Sequence, residues 1–306
     1  MIPKGYLYVI CCACSFGFIP TLAKLTYNEG ASLELVAFFR IIAGSFLMGI
    51  WSGWSYRKKL ISVIGQTLQA INRPIALLVV VIGIFIAGMS LGYLSSYKYI
   101  PVSLSVLLFF TFPFWVLLIN FIIDGVAVKP LKLLAFILAF SGLALCLGPN
   151  WHVLDPRGIA LVLFGSLCSA GMIVGASKAT QVISMPDLIF LSNTIGAIIV
   201  GLILFVSDSF SMSHTIGGWS GIASICILFV LGQLSLFAAT KFIGSAQTSL
   251  MLNIEPLVTI ATAFLLLGER LILSQSIGVA VILIVLFMTS SESSKFILFI
   301  NNNKSD

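Results

Sequence analysis

Two ionisable side chains stand where the surrounding sequence is made for hydrocarbon. Glu255, followed by Pro256, lies near the middle of "LMLNIEPLVTIATAFLLLGERL" (250–271), and Arg40 lies within "ELVAFFRIIAG" (34–44). A carboxylate at the bilayer centre costs about 2.5–3.5 kcal/mol on insertion scales, so it must face protein or water and be protonated or paired. In such a place it can hold an amine or carry a proton. Pro256 has no N–H to give the carbonyl of Leu252, and its ring crowds that carbonyl. A freed carbonyl beside a carboxylate makes a polar spot tolerable only next to a cavity. Thr248, Glu255, Thr259 and Thr262 fall at i, i+7, i+11 and i+14, tracing one polar stripe that supports an inward face. The plainer alternative makes Glu255 a hydrogen-bonder in helix packing and Pro256 a kink.

Arg40 admits three readings: its long stem snorkels to the interface, it pairs with Glu255, or its planar fork holds a substrate carboxylate. Tyr93, Ser90, Thr111, Trp115, Gln233 and Gln247 are further candidates for a cavity lining. Each has a packing role as its simpler explanation, since hydroxyls can bond their own helix and aromatic rings supply apolar area. Pro20 and Pro113 join Pro256 as expected helix-breaking positions. Metal chemistry is not expected: the six cysteines fall inside apolar spans without zinc spacing, and His152 and His214 lie far apart. HExxH, GxSxG and P-loop motifs are absent, so neither an enzyme nor an ATP-driven pump is expected, and no cofactor is called for.

The elements that must hold these residues are membrane helices. The chain of 306 residues is 59% hydrophobic and 8% charged, with a mean hydropathy of +1.15. A soluble domain carries about a quarter charged residues. Runs such as "ALLVVVIGIFIAG" are apolar on every face, unlike the alternating strands of a barrel. Windows of about 20 apolar residues predict ten spans: 6–24, 32–52, 76–97, 102–122, 132–149, 158–177, 188–207, 219–240, 246–267 and 275–294. The expected class is therefore an all-α membrane protein. With a cytoplasmic N-terminus, Lys4, Arg57, Lys58, Lys59, Arg73, Lys129, Lys132, Lys178, Lys241, Lys295 and Lys304 fall inside, and Lys24, Lys98, Arg157 and Arg270 outside. That bias satisfies the positive-inside rule with both termini cytoplasmic, so the net charge of +6 reads as an orientation signal and no nucleic-acid partner is expected.

The chain also contains itself twice. "CSFGFIPTLAK" (14–24) lies over "CSAGMIVGASK" (168–178), and "ELVAFFRIIAG" (34–44) over "DLIFLSNTIGA" (187–197). "YKYIPVSLSVLLFFTFPF" (97–114) lies over "TKFIGSAQTSLMLNIEPL" (240–257), so Lys98 meets Lys241 and Pro113 meets Pro256. Each copy holds five spans. An odd number sends the second copy through the membrane in the opposite sense, giving two inverted five-helix repeats, 1–150 and 151–295, with a cytoplasmic tail at 296–306. Secondary transporters are often built this way, with substrate near the midplane between the repeats. The charges do not repeat: Asn193 stands for Arg40, and Phe112 stands where Glu255 does. One asymmetric ligand suits that arrangement. Gly88 with Gly92, and Gly171 with Gly175, have GxxxG spacing for close helix contact. Lys24 and Lys178 match at opposite ends of the membrane, as interface anchors or as gating residues.

With "FFRIIAG", "FPF" and "IEPLVTIATAFLLLGERLILSQSIGVAVIL" in place, the chain resembles the drug/metabolite transporter superfamily, in its ten-helix EamA-like branch. In the first half "IIDG" replaces the "LLGE" that the resemblance leads one to expect. The resemblance implies movement of small metabolites, often amino acids outward. The expectation is a bacterial inner-membrane exporter of an amino acid or related metabolite, working by alternating access, with the substrate amine at Glu255 and its carboxylate at Arg40. Proton coupling and a homodimer are left open. The alternatives are a flippase or helper subunit for lipid-linked intermediates, and an uptake or exchange permease for a nucleotide-like or cofactor metabolite.

Overall fold

The computed structural model describes residues 4–55, 73–96, 98–100, 102–125, 130–147, 155–207, 211–267 and a few positions within 277–284. The "YRKK" loop, Glu269, Arg270, His152, most of the expected tenth span and the tail at 296–306 lie outside the described residues.

Every regular element among the described residues is helical. In the first half these are α1 (Lys4–Asn28), α2 (Leu33–Ser55), α3 (Arg73–Ser96), α4 (Val102–Phe109), α5 (Phe112–Asp124) and α6 (Pro130–Leu147). The second half holds α7 (Pro156–Ala179), α8 (Met185–Ser207), α9 (Ile216–Ile243), α10 (Ser245–Met251), a 3₁₀ turn (Leu252–Ile254) and α11 (Glu255–Leu267). Six of these, α1, α2, α3, α7, α8 and α9, are long and apolar enough to cross a membrane, and shorter apolar helices accompany them. The chain is a multi-pass membrane protein.

Helix ends follow local chemistry. Asp155 caps α7 by accepting from the Arg157 amide at 2.8 Å, with Pro156 in the first turn where a missing N–H costs nothing. Thr215 caps α9 through the Gly218 amide at 3.0 Å. Gly125 closes α5 at φ 64°, a left-handed position that glycine takes without strain.

Packing follows the repeat. α1 lies against α9 just as α3 lies against α7, and α2 meets α8 at the centre. α3 touches α8 as α9 touches α2, and α7 meets α5 as α1 meets α11. Each contact becomes its partner when the two halves are exchanged. The first helices of the halves run oppositely. The start of α1 meets the end of α9, where Tyr8 and Phe242 stack at 5.7 Å. The end of α7 meets that same end of α9, Ser177 donating to the Thr240 carbonyl at 3.3 Å.

The two GxxxG pairs line a single interface, that of α3 with α7. A Cβ on Gly92 would stand 2.7 Å from the Leu161 carbonyl and 3.0 Å from the Gly165 amide nitrogen, both backbone atoms. Gly88 faces Cys168, Gly171 faces Phe85, and Gly175 faces Ile82. Gly92→Ala must push two helices apart, so it is expected to cost about 1–3 kcal/mol and to lower the Tm of the purified protein by several degrees. Gly53→Ala is the control. Nothing lies within 4 Å of its added methyl, and Tm should hold or rise slightly.

Candidate functional site

The fourth and ninth expected spans are each broken at the same repeat position, just before a proline. α4 stops at Phe109, and α5 begins at Phe112 with Pro113 in its first turn. Thr111 eases the break by donating to the Leu108 carbonyl at 2.7 Å, and it shares a 2.9 Å hydrogen bond with Ser166 of α7. In the second half α10 ends at Met251, the chain passes through the 3₁₀ turn, and α11 begins at Glu255. Asn253 donates to the Leu250 carbonyl at 2.6 Å, so a side chain again satisfies a carbonyl at the break. Pro113 and Pro256 thus mark real interruptions, while Pro20 lies inside the continuous α1. One proline removes a single helical hydrogen bond, and packing of α1 along α9 and α11 holds the rest.

The break explains the placement of Glu255. It creates a helix N-terminus in the middle of a span, and the partly buried Glu255 is its first residue. Unsatisfied amides there favour a negative side chain. In the first half the same place holds the buried Phe112, so only one break carries a charge. The start of α11 presses on α1, where a Cβ on Gly17 would lie 3.0 Å from the Glu255 carbonyl and 2.7 Å from Val258.

The threonine stripe divides on this scaffold. Thr259 donates to the Gly17 carbonyl at 3.0 Å, and Thr262 meets Thr21 at 3.1 Å, so both are spent on α1. Thr248 bonds the Gly244 carbonyl of its own helix. The 3₁₀ turn between them breaks the regular helical phase that the spacing assumed.

Arg40 is 7% exposed. Its guanidinium donates to Ser90 on α3 at 2.9 Å and lies over the Phe229 ring of α9, 5.0 Å from the centroid. Among the described residues no ion pair joins Arg40 to Glu255. Aromatic rings stand between their surroundings. Phe229 packs on Phe16 at 6.1 Å, and Phe16 is next to the Gly17 that α11 presses on.

The second half answers with an uncharged pair. Asn193 and Gln233 exchange two hydrogen bonds, 2.8 and 2.9 Å, and both are almost fully buried. In the register that sets Arg40 over Asn193 and Lys98 over Lys241, Ser90 stands over Gln233. The Arg40–Ser90 and Asn193–Gln233 pairs are therefore the same helix-to-helix bond in two chemical versions. The amide pair sits against Gly44, whose lack of a side chain makes room for it.

The remaining candidates scatter. Tyr93 packs on Phe109, ring centroids 4.2 Å apart. Trp115 lies on α5 beside Phe114, and its buried indole N–H has no hydrogen-bond partner among the described residues. Gln247 is partly buried on α10. Ser166 and Phe229 were not singled out from sequence. The repeat match sets Ser166 over Cys12, a residue in an apolar span that marks no site, and Phe229 is one ring among 24 phenylalanines. No group of three or more metal-binding side chains occurs among the described residues.

Comparison with known proteins agrees with this architecture. The sequence model of the EamA-like transporter family matches residues 3–148 and again 156–291. A crystal structure with 15% sequence identity superposes with a TM-score of 0.74, over 95% of this chain and 98% of that one. At that identity the likeness speaks for the fold. No curated protein matches the sequence. Two matched repeats that together span nearly the whole chain decide the matter: the protein is a member of the EamA-like transporter family.

Proposed function

We propose that the protein exports an amino acid or a closely related zwitterionic metabolite across a bacterial inner membrane, by alternating access between two inverted five-helix repeats. In this reading the repeats are 1–150 and 151–295, with ten spans in all and both termini cytoplasmic. The carrying observation is the buried Arg40 guanidinium, held by Ser90 and Phe229 in an almost uncharged interior, with one carboxylate, Glu255, at a mid-span helix break. A fixed cation and a fixed anion either side of aromatic rings match the two poles of a zwitterion. Arg40 takes the carboxylate through its fork, Glu255 takes the amine, and Phe16 and Phe229 lie along the stem between. Trp115, Tyr93 and Gln247 are further candidates for the proposed lining, the Trp115 indole N–H offering a donor, whereas Thr111 and Gln233 are already bonded to Ser166 and Asn193.

A second reading, a flippase for lipid-linked molecules, draws on an outward-facing apolar groove of about 520 Å³ lined by Leu47, Ile50, Trp51 and Trp54 of α2. One experiment separates the two. Proteoliposomes are loaded in parallel with labelled amino acids, with the matching amines or carboxylic acids alone, and with a fluorescent polyprenyl-phosphate lipid. Efflux of an amino acid that exceeds both single-charge analogues supports the zwitterion site. Lipid scrambling without solute efflux would replace it with the flippase.

A further inference from the structure

The polar bonds at the two ends of the bundle are unequal, and the repeat shows which of them were free to be equal. Glu34 pairs with Lys98, tying the start of α2 to the turn after α3 within the first half. The matched residues in the second half, Asp187 and Lys241, carry the same charges. A second set of bonds crosses between halves, from the C-terminal part of the broken fourth span, at the end that holds Lys4. Lys178, in the last turn of α7, pairs with Asp124 at the end of α5, 2.5 Å apart. Asn120 of α5 donates to Ser245, the first residue of α10, at 3.0 Å. Carried through the repeat matching, Asp124 and Lys178 become Leu267 and Lys24, and Asn120 and Ser245 become Ala263 and Val102. Neither substitute set can make the bond. Backbone packing agrees: α5 lies against α10 at the Lys4 end, while among the described residues α4 and α11 make no comparable contact at the other. Bonds also cross at that other end. Thr215 donates to Glu29 at 2.5 Å, Ser211 donates to the Gly30 carbonyl at 2.8 Å, and the Ser32 amide donates to the Ser211 carbonyl at 3.0 Å, tying the α1–α2 connection to the segment before α9. They fasten connections beside α1 and α9, a pair already packed together as α5 is on α7. Asn120–Ser245 instead fastens α5 to α10, whose counterparts α4 and α11 lack a comparable contact among the described residues.

We infer that Asp124–Lys178 and Asn120–Ser245 form a latch between the halves that holds the Lys4 end shut at rest, and that its release opens that end. The inference rests on the two-ended opening proposed above, but not on the identity of the solute. An ion pair with both side chains about 40% exposed is individually weak, as a bond broken in every cycle has to be. Asn120–Ser245 adds a neutral bond one turn deeper. The Glu34–Lys98 pair lies within one half and need not break as the halves part.

The test reads opening without any substrate. Thr248 on α10 is fully buried one turn inside Ser245, and Ser192 on α8 is fully buried elsewhere. Thr248→Cys and Ser192→Cys are introduced separately into the full-length protein in lipid nanodiscs. Labelling by a maleimide is followed at each site by peptide mass, which separates it from the natural cysteines. Adding Asp124→Asn or Lys178→Gln is expected to speed labelling at 248 about threefold and to leave 192 unchanged. The charge exchange Asp124→Lys with Lys178→Asp should return the rate at 248 toward its original value. Equal rates at 248 with and without the single changes would overturn the latch. So would an exchange variant that labels as fast as the singles, or a parallel rise at 192, which would mean general loosening. A protein that moves no amino acid at all leaves these rates, and the latch, standing.

Discussion

Glu255→Gln is expected to reduce transport by about ten- to a hundredfold while the protein stays folded. The change keeps volume and shape, and removes one charge from the start of α11. The helix-terminus interaction it gives up is worth about 0.3–1 kcal/mol, too little to unfold a bundle of this size. A charge-assisted hydrogen bond to a substrate amine is worth about 1.5–3 kcal/mol, which is the expected loss of rate. Arg40→Lys should act in the same range. It keeps the charge but loses the fork and the flat face that rests on Phe229. The measurement is the initial rate of amino-acid efflux from proteoliposomes, beside the Tm of each variant. Equal rates for wild type and Glu255→Gln would remove Glu255 from the mechanism. A large fall in Tm alongside the lost rate would recast Arg40 as a packing residue.

The second large effect concerns stability. Asn193→Leu leaves the amide of Gln233 buried in an apolar surrounding without its two bonds, and should cost about 2–4 kcal/mol. Gln233→Leu should cost a similar amount for the same reason. The double change removes both polar groups at once, so it should recover much of the loss, with a coupling of about 1–3 kcal/mol in a double-mutant cycle. Thermal unfolding in detergent reads it directly. Additive losses would mean that the two amides do not depend on each other. The corresponding Arg40–Ser90 bond should behave differently, because Ser90→Ala withdraws one acceptor from a guanidinium that also lies on a ring. A small loss of stability and a larger loss of transport are expected there.

The pairing of these two bonds gives one symmetric scaffold two chemically different joints, as the proposed zwitterion site requires. Both halves join their second and third spans at matched repeat positions, but one joint is charged and the other is a neutral amide pair. Similarly, both halves break one span before a proline, but only one break begins with an acid. The two halves share a geometry and differ in chemistry at three matched positions, 40 against 193, 90 against 233 and 112 against 255.

The membrane class, the ends of most spans and the repeat followed from the sequence alone, and of the three prolines expected to break helices, Pro113 and Pro256 lie at breaks. They depend on quantities a sequence carries directly: how many apolar residues run together, where the charges fall, and where a proline has no N–H to give. Arg40 and Glu255 were conspicuous for the same reason, as charges set in hydrocarbon. Which helix face each side chain took was decided only in the tertiary structure. In a span that is apolar all round, little in the sequence fixes its rotation, so Thr259 and Thr262 could pass for cavity lining until α1 was seen to take both. Pro20 could pass for a break until the packing of α1 was seen to carry the helix through it. The bonds of Asn193 with Gln233, and of Asp124 with Lys178, join residues 40 and 54 positions apart in the chain. Such contacts arise when whole helices are set against each other, and no local spacing encodes them.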